Sequence, residues 1–261
     1  MSTRITLSLL AVDALREHLD VKLPVLLEVP SHGDTLDERP GLLRRGWAEI
    51  QERGLGRPGE LDPFVEDAFH LLARPPVGVH VIFGEHPDDE RAAVVGMDGD
   101  KAVLAAILDG EFVLERLYAP SAARTLVGML PDAPAGTGVS VTAATDALED
   151  VVRRSAGSAN AMAAGFASVG LRQEDAQHLA RVLTAQRLRG GQFGAKSFDY
   201  VTGRTTRVPF TVDFIDTTDG RYLVQHKPAG DGRRWFTLAP GDRNRLTERV
   251  NELIRSASST R

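Results

Sequence analysis

Apolar positions along the chain recur at two different spacings, and the switch between them predicts an α+β fold. Leu61, Val65, Ala68, Phe69 and Leu72 fall at i, i+4, i+7, i+8 and i+11, one stripe of an amphipathic helix. Asp62-Pro63 supplies its start, an acceptor for free backbone amides followed by proline in the first turn. Downstream, residues 77–83, 91–97, 101–108 and 111–118 read as a four-stranded meander. Asp98-Gly99-Asp100 and Asp109-Gly110 mark hairpin turns, because these residues tolerate positive φ. Upstream, residues 5–10 read as a strand and the next helix carries Val12, Leu15 and Leu19 on one face. Residues 24–29 look extended, and Thr35 or Asp37 caps a helix running towards Arg53. Residues 54–59 form a breaker-rich connection, a helix over about 119–130 closes this half, and PDAPAGTG (131–138) is a linker.

The plan then repeats. Residues 139–142 read as a strand, Thr145 caps a helix with Leu148, Val151 and Val152, and an Ala-rich helical stretch breaks at Gly170. Ala176, Leu179, Ala180 and Leu183 share the face of the next helix. Strands follow at 192–200, 207–216, 221–226 and 233–238; Val208, Phe210, Val212 and Phe214 alternate with Pro209, Thr211 and Asp213, giving one buried and one polar face. Leu246, Val250, Leu253 and Ile254 line the last helix, and SASSTR reads as a frayed tail. Four short segments recur in the same order: Asp13-Ala14-Leu15, Gly54-Leu55, Asp98-Gly99 and Ala119-Pro120 reappear as Asp146-Ala147-Leu148, Gly170-Leu171, Asp219-Gly220 and Ala239-Pro240. The expectation is two quasi-symmetric halves, 1–131 and 139–256, sharing antiparallel sheet with flanking helical bundles in one compact unit. Such a seam makes a broad surface in preference to a deep polar pocket.

Composition narrows this only in places. A chain of 261 residues buries roughly three quarters of its surface in one large domain or two smaller ones. No apolar run approaches the roughly 20 residues that span a bilayer, and the N-terminus reads as mature structure without a signal-peptide cleavage site. With zero cysteines there is no disulfide, thiolate nucleophile or Cys-ligated zinc, which fits a cytosolic protein. Arg outnumbers Lys 27 to 4, a bias of GC-rich genomes. The net charge of −5 hides an asymmetry: residues 181–261 carry 15 Lys+Arg against 8 Asp+Glu, the remainder 16 against 28. A basic C-terminal third attracts nucleic acid or an acidic protein, but the arginines are dispersed, and a solvated surface explains them more simply.

No catalytic constellation survives inspection. Ser31-His32-Gly33-Asp34 has triad residue types, yet neighbours in sequence cannot form the relay, and turn chemistry accounts for them. His86-Pro87-Asp88-Asp89-Glu90, with His80, has metal-ligand types on a hairpin tip but no recognised ligand spacing. Asp213, Asp216 and Asp219 belong to a strand edge and a turn. Gly190-Gly191-Gln192-Phe193-Gly194-Ala195-Lys196-Ser197 misses a phosphate loop because Ala195 separates Gly from Lys and a strand follows. Trp47, Trp235, Phe198 and Tyr200 suit base stacking, though aromatics at sheet positions are more often core or protein contacts. No cofactor and no metal are expected.

VPSHGDTLDER, DPFVEDAFHLLARPPVGVHV and above all DTTDGRYLVQHKPAGDGRRWFTLAPGDRNRLTERVNELI resemble the EspG family of ESX (type VII) secretion-associated proteins of actinobacteria. The resemblance spans essentially the whole chain. It implies a cytosolic, non-enzymatic chaperone that binds a PE–PPE heterodimer at the tip of the PPE subunit, keeps it soluble and delivers it to its secretion machine. It also implies a mixed α+β fold with quasi-twofold symmetry, a central antiparallel sheet and two helical bundles. Family members bind mainly through the sheet and the C-terminal bundle, helped by a loop that corresponds here to residues 84–91 and is short. The second-half sheet face and the helices around 159–188 are the expected docking surface, with Met162, Phe166, Val169, Phe198, Tyr200, Phe210 and Phe214 as candidate contacts, and the Ala-rich stretch 155–171 reads equally well as an internal packing helix. A homodimer is compatible with this reading. No nucleic acid and no membrane are expected as partners, while a nucleic-acid or regulatory binding module on the basic third is the alternative, and an enzyme with a dispersed site ranks third.

Overall fold

Two glycine-rich strands meet at the centre of the sheet and join the halves. The structure, a computed structural model, describes residues 4–35, 37–86, 89–230 and 232–259. Strand β4 (Val77–Gly84) pairs antiparallel with β9 (Arg187–Asp199), in register from Val77↔Ser197 to Gly84↔Gly190. Counted outward from this seam, the first half supplies β4, β5 (Arg91–Asp98), β6 (Lys101–Leu108), β7 (Glu111–Tyr118) and, at the edge, β1 (Arg4–Ser8). The second half supplies β9, β11 (Val212–Thr217), β12 (Gly220–Pro228), β13 (Arg234–Pro240) and, at its edge, β8 (Val141–Ala144). In both halves the strand that begins the half lies outermost and four later strands run towards the seam. All neighbours on this path pair antiparallel.

The repeated segments fall at equivalent landmarks. Asp13-Ala14-Leu15 and Asp146-Ala147-Leu148 lie in α1 (Leu9–His18) and α5 (Thr145–Arg154), each the helix after an edge strand. Gly54 and Gly170 take φ of 69° and 100° just beyond α2 (Arg39–Glu52) and α6 (Ala159–Ser168), the left-handed geometry that ends a helix without a side-chain clash. Asp98-Gly99 and Asp219-Gly220 turn the central hairpins. Ala119-Pro120 and Ala239-Pro240 precede α4 (Ala122–Gly128) and α8 (Arg243–Ser258). The remaining helices are α3 (Pro63–Ala73) and α7 (Gln173–Thr184).

Strand alternation divides the sheet into two unlike faces. On one face α4 and α8 cover a core continuous across the seam, including Val79, Val81, Phe193, Val212 and Phe214. On the other face two separate bundles form. Helices α1 to α3 pack over Leu7, Val103, Phe112 and Leu114, and α5 to α7 pack over Val141, Tyr222, Phe236 and Leu238. The middle strands lie between them.

Local chemistry explains several element starts. Asp62 Oδ1 accepts from Phe64 N at 2.8 Å and Val65 N at 3.2 Å, as its sequence position requires. Thr35 Oγ1 accepts from Glu38 N at 3.3 Å, ahead of α2. Several expectations need correction. Residues 24–29 are not extended: Val25–Leu27 form a 3-10 turn, closed by Glu28 at φ 42°. The 54–59 connection carries a small hairpin, β2 (Gly56–Arg57) with β3 (Glu60–Leu61). Thr145 opens α5 without capping it, and its buried hydroxyl has no hydrogen-bond partner among the described residues. Val182, not Leu183, faces the core from α7. The strand expected over 207–216 divides into β10 (Arg204–Arg207), which pairs only with β9, and β11; Pro209 between them has no N–H for a ladder. Residues Pro87 and Asp88 of the expected hairpin tip, and the last two residues of the expected tail, lie outside the described residues.

The segment PDAPAGTG is held by the second half and does not hang free as a linker. Arg221 is buried and places Nε on Asp216 Oδ1 at 2.7 Å and Nη2 on Asp216 Oδ2 at 2.8 Å. The same Nη2 donates to Pro131 O at 2.8 Å, Arg221 N donates to Pro134 O at 2.7 Å, and Gly136 N donates to Arg221 O at 2.7 Å. Gly136 lies flat on the Tyr222 ring, where a Cβ would stand 2.3 Å from Cζ.

Candidate docking surface

Between the two bundles, β4, β9 and β11 expose a floor whose side chains come from alternate positions: His80 and Ile82, Gln192 and Lys196, Asp213 and Ile215. The glycines of the near-phosphate-loop segment serve the sheet instead. A Cβ on Gly191 would sit 2.4 Å from Ile82 O and 2.6 Å from Phe214 Cε1, and one on Gly194 would sit 2.6 Å from His80 Cε1. Only glycine lets the seam strands and their rings approach this closely.

At the Gly84 end the floor deepens into a cleft of about 640 Å³, with Ile82, Ile215 and Val224 at its base and Glu85, Glu90 and Arg187 on its rim. One strand further on, an apolar groove of about 410 Å³ lies between α5 and α7, lined by Leu148, Val152, Leu183, His226 and Phe236. Val152 and Leu183 are 41% and 37% exposed and line the same groove, so together they leave apolar surface available for contact. The helix stripe that misplaced Leu183 therefore hid a surface residue.

The floor is electrostatically uneven. Burial, with Lys196 and Arg207 nearby, lowers the pKa of His80 to about 4. Burial, with Arg207 beside it, also pulls the Lys196 ammonium below its ordinary range. Burial pushes the Asp213 carboxyl up, against opposing hydrogen bonds from Gln192 and Thr211. A histidine held neutral in the fold but free to charge when unfolded costs stability as pH falls. Its contribution is fully present above the ordinary value of 6.5 and is lost on acidification towards about 4. We expect His80→Gln to flatten the dependence of melting temperature on pH across this window; an unchanged profile in thermal melts excludes His80 as its source.

The other titratable groups of note are structural. Asp13 is buried at the heart of the Ser31-His32-Gly33-Asp34 loop. Its Oδ2 accepts from His32 N at 2.7 Å and Arg39 Nη1 at 3.2 Å, and its Oδ1 accepts from Arg16 Nη2 at 2.6 Å. Burial alone would raise the Asp13 pKa, but these donors outweigh it and hold it below the usual carboxylate range. The Ser31 hydroxyl accepts from Arg39 and Gly33 takes φ 95°, so the tetrapeptide is a tethered turn. Asp216 belongs to the Arg221 ion pair, and the Asp219 amide donates to Thr217 Oγ1. Among the described residues no group of three or more His, Cys, Asp or Glu side chains is placed to hold a metal. No described helix is long and apolar enough to cross a membrane.

The seven candidate contacts do not form one patch. Met162 and Phe166 point into the second bundle and Phe214 into the shared core, all buried, so none offers area to a partner; α6 is a packing helix. Val169 is exposed at the end of α6. Phe198 and Tyr200 stack edge to face near the first half, and Tyr200 Oη donates to Arg74 O at 2.7 Å. Phe210 packs towards α8 with Lys227 Nζ 4.8 Å from its ring centre. Many cations of the basic third are engaged by carboxylates, among them Arg243 with Asp132, Arg234 with Glu149 and Lys227 with Glu252. Sequence reasoning missed His80, Lys196 and Arg207 as neighbours. Alternation marked the His80 face, but strand pairing alone brings the three together.

Comparison with known proteins bears on the family and the fold. Residues 8–252 match the model of the EspG family. Among solved structures, the type VII secretion system chaperone EspG5 of Mycobacterium tuberculosis, in complex with the PE25-PPE41 dimer, superposes with a TM-score of 0.77 at 13% identity, over 97% of this chain and 96% of that one. Among curated protein sequences none matches the chain. The family model covers nearly the whole length and the α+β fold is shared from edge strand to closing helix: the chain belongs to the EspG family.

Proposed function

We propose that this protein is a cytosolic type VII secretion chaperone that binds a PE–PPE heterodimer at the tip of its PPE subunit, keeps the pair soluble and delivers it for export, without enzymatic activity. Family membership supports the class, and the likeness to a chaperone solved with such a dimer supports the partner. The observation that carries the reading is the floor left open between the two bundles, continuous with the apolar groove at Val152, Leu183 and Phe236. Residues 1–131 and 139–256 act as one unit, because the core under α4 and α8 crosses the seam. A helical tip docking there would bury roughly 800 Å² per partner, with aliphatic anchors at the centre and charges at the rim.

Co-expression with the PE–PPE pairs of the same genome tests this directly. A tagged chaperone is expected to co-purify one pair as a stoichiometric complex on size exclusion. Leu183→Asp, which places a charge in the groove without touching the core, is expected to weaken binding by about tenfold or more. Failure to retain any PE–PPE pair overturns the reading; full retention by Leu183→Asp moves the surface elsewhere.

A further inference from the structure

Near the Gly78 end of the seam, three side chains that carry or can carry positive charge converge on the open floor. Lys196 lies opposite Gly78 on β4 and opposite Arg207 on β10, while His80 lies opposite Gly194. The two glycines let these groups lie along the sheet. A Cβ on Gly78 would stand 3.4 Å from Lys196 Cε, and one on Gly194 would stand 2.6 Å from the His80 ring. Neither Lys196 nor Arg207 makes a side-chain hydrogen bond or ion pair with any described residue. The carboxylate nearest Lys196 along the strand, Asp199, occupies the alternate face and accepts from Val201 N, Thr202 N and the Thr202 hydroxyl. Adjacent like charges on a half-buried floor repel, and burial raises the cost of each. Several cations of the C-terminal third, Arg221, Lys227, Arg234, Arg243 and Arg249 among them, have carboxylates, whereas no carboxylate of the described residues pairs with Lys196 or Arg207.

Taking the open floor as the docking surface proposed above, we infer that Lys196 and Arg207 receive a carboxylate from the docked polypeptide, an Asp or Glu projecting from the PPE tip onto the seam. Charge complementarity selects the occupant. The site lies on the floor between two helical layers, so a side chain carried on the projecting end of a docked protein reaches it. The contact fixes which tip is accepted, because a tip presenting Lys or Arg at that point meets two uncompensated cations.

Binding of the purified full-length protein to its PE–PPE pair, measured by calorimetry at low and high NaCl, decides the matter. Lys196→Met keeps the apolar stem over Gly78 and removes the charge, and Arg207→Glu changes an exposed residue, so both variants are expected to fold; their melting temperatures check this. Each is expected to lose affinity by about tenfold or more and to flatten the salt dependence of the wild type. Replacing the matching tip carboxylate by Lys is expected to restore binding to Arg207→Glu. Wild-type binding with both variants undiminished overturns the carboxylate contact alone. Absence of wild-type binding to any PE–PPE pair overturns the docking reading and this contact with it. Stabilisation of the free wild type by inorganic phosphate, with docking unchanged in the variants, would mark a small-anion site and equally overturn it.

Discussion

Asp216→Ala is expected to destabilise the protein by about 3–5 kcal/mol, the usual cost of leaving one member of a buried ion pair without its partner. Arg221 is 1% exposed and spends its two-pronged contact on Asp216, with Arg189 Nε a further 3.3 Å from the same carboxylate. Removing the carboxylate strands one buried guanidinium and frees another at the edge. In a chain of this size the loss corresponds to a fall in melting temperature of about 10 °C. The substitution also loosens the hold on the inter-half segment, because Arg221 Nη2 binds Pro131 O as well as Asp216. Limited proteolysis should therefore cut within 131–138 in the variant before it cuts elsewhere. A melting temperature within roughly 2 °C of wild type, the effect of a surface change, would show that water and the Pro131 carbonyl satisfy the Arg221 guanidinium without the carboxylate.

Phe214→Ala is expected to cost a similar amount, about 3–5 kcal/mol, through the cavity it leaves. Its ring is fully buried in the core that spans the seam, 6.3 Å from the Phe193 ring and 4.8 Å below the Arg221 guanidinium. Because β11 and β9 are neighbours, collapse around the cavity would have to move the seam strand, which pairs with β4 on its other side. Urea unfolding should show a lower midpoint with an unchanged slope. Phe214 also touches the Asp216–Arg221 pair, so the double variant is expected to lose less than the sum of the two single losses. A strictly additive result would mean that the ring and the ion pair act independently.

Much of this architecture was legible in the order of residues. The meander of the first half, the Asp62 cap, the helix stripe of α8 and the repeated landmarks all follow from spacing and turn chemistry, which are local properties. The errors cluster where a residue's role depends on what packs beside it. Met162, Phe166 and Phe214 read as contacts because they are large and apolar, and the fold uses them as core. Leu183 read as core because it completes a stripe, and α7 turns Val182 inward instead. Gly191 and Gly194 read as a failed phosphate loop, and their missing side chains are required by Ile82 and His80 on the opposing strand.

The sequence by itself determined the elements, their order and their duplication, because hydrophobic period and turn residues act over a few positions. The tertiary structure decided that the halves join through β4 and β9, that the bundles stop short of the middle strands, and that Lys196, Arg207 and His80 face one another there. Only the pairing that sets Arg207 beside Lys196 is local; the seam that brings His80 to them joins segments more than a hundred residues apart, for which no local pattern in the chain carries a signature.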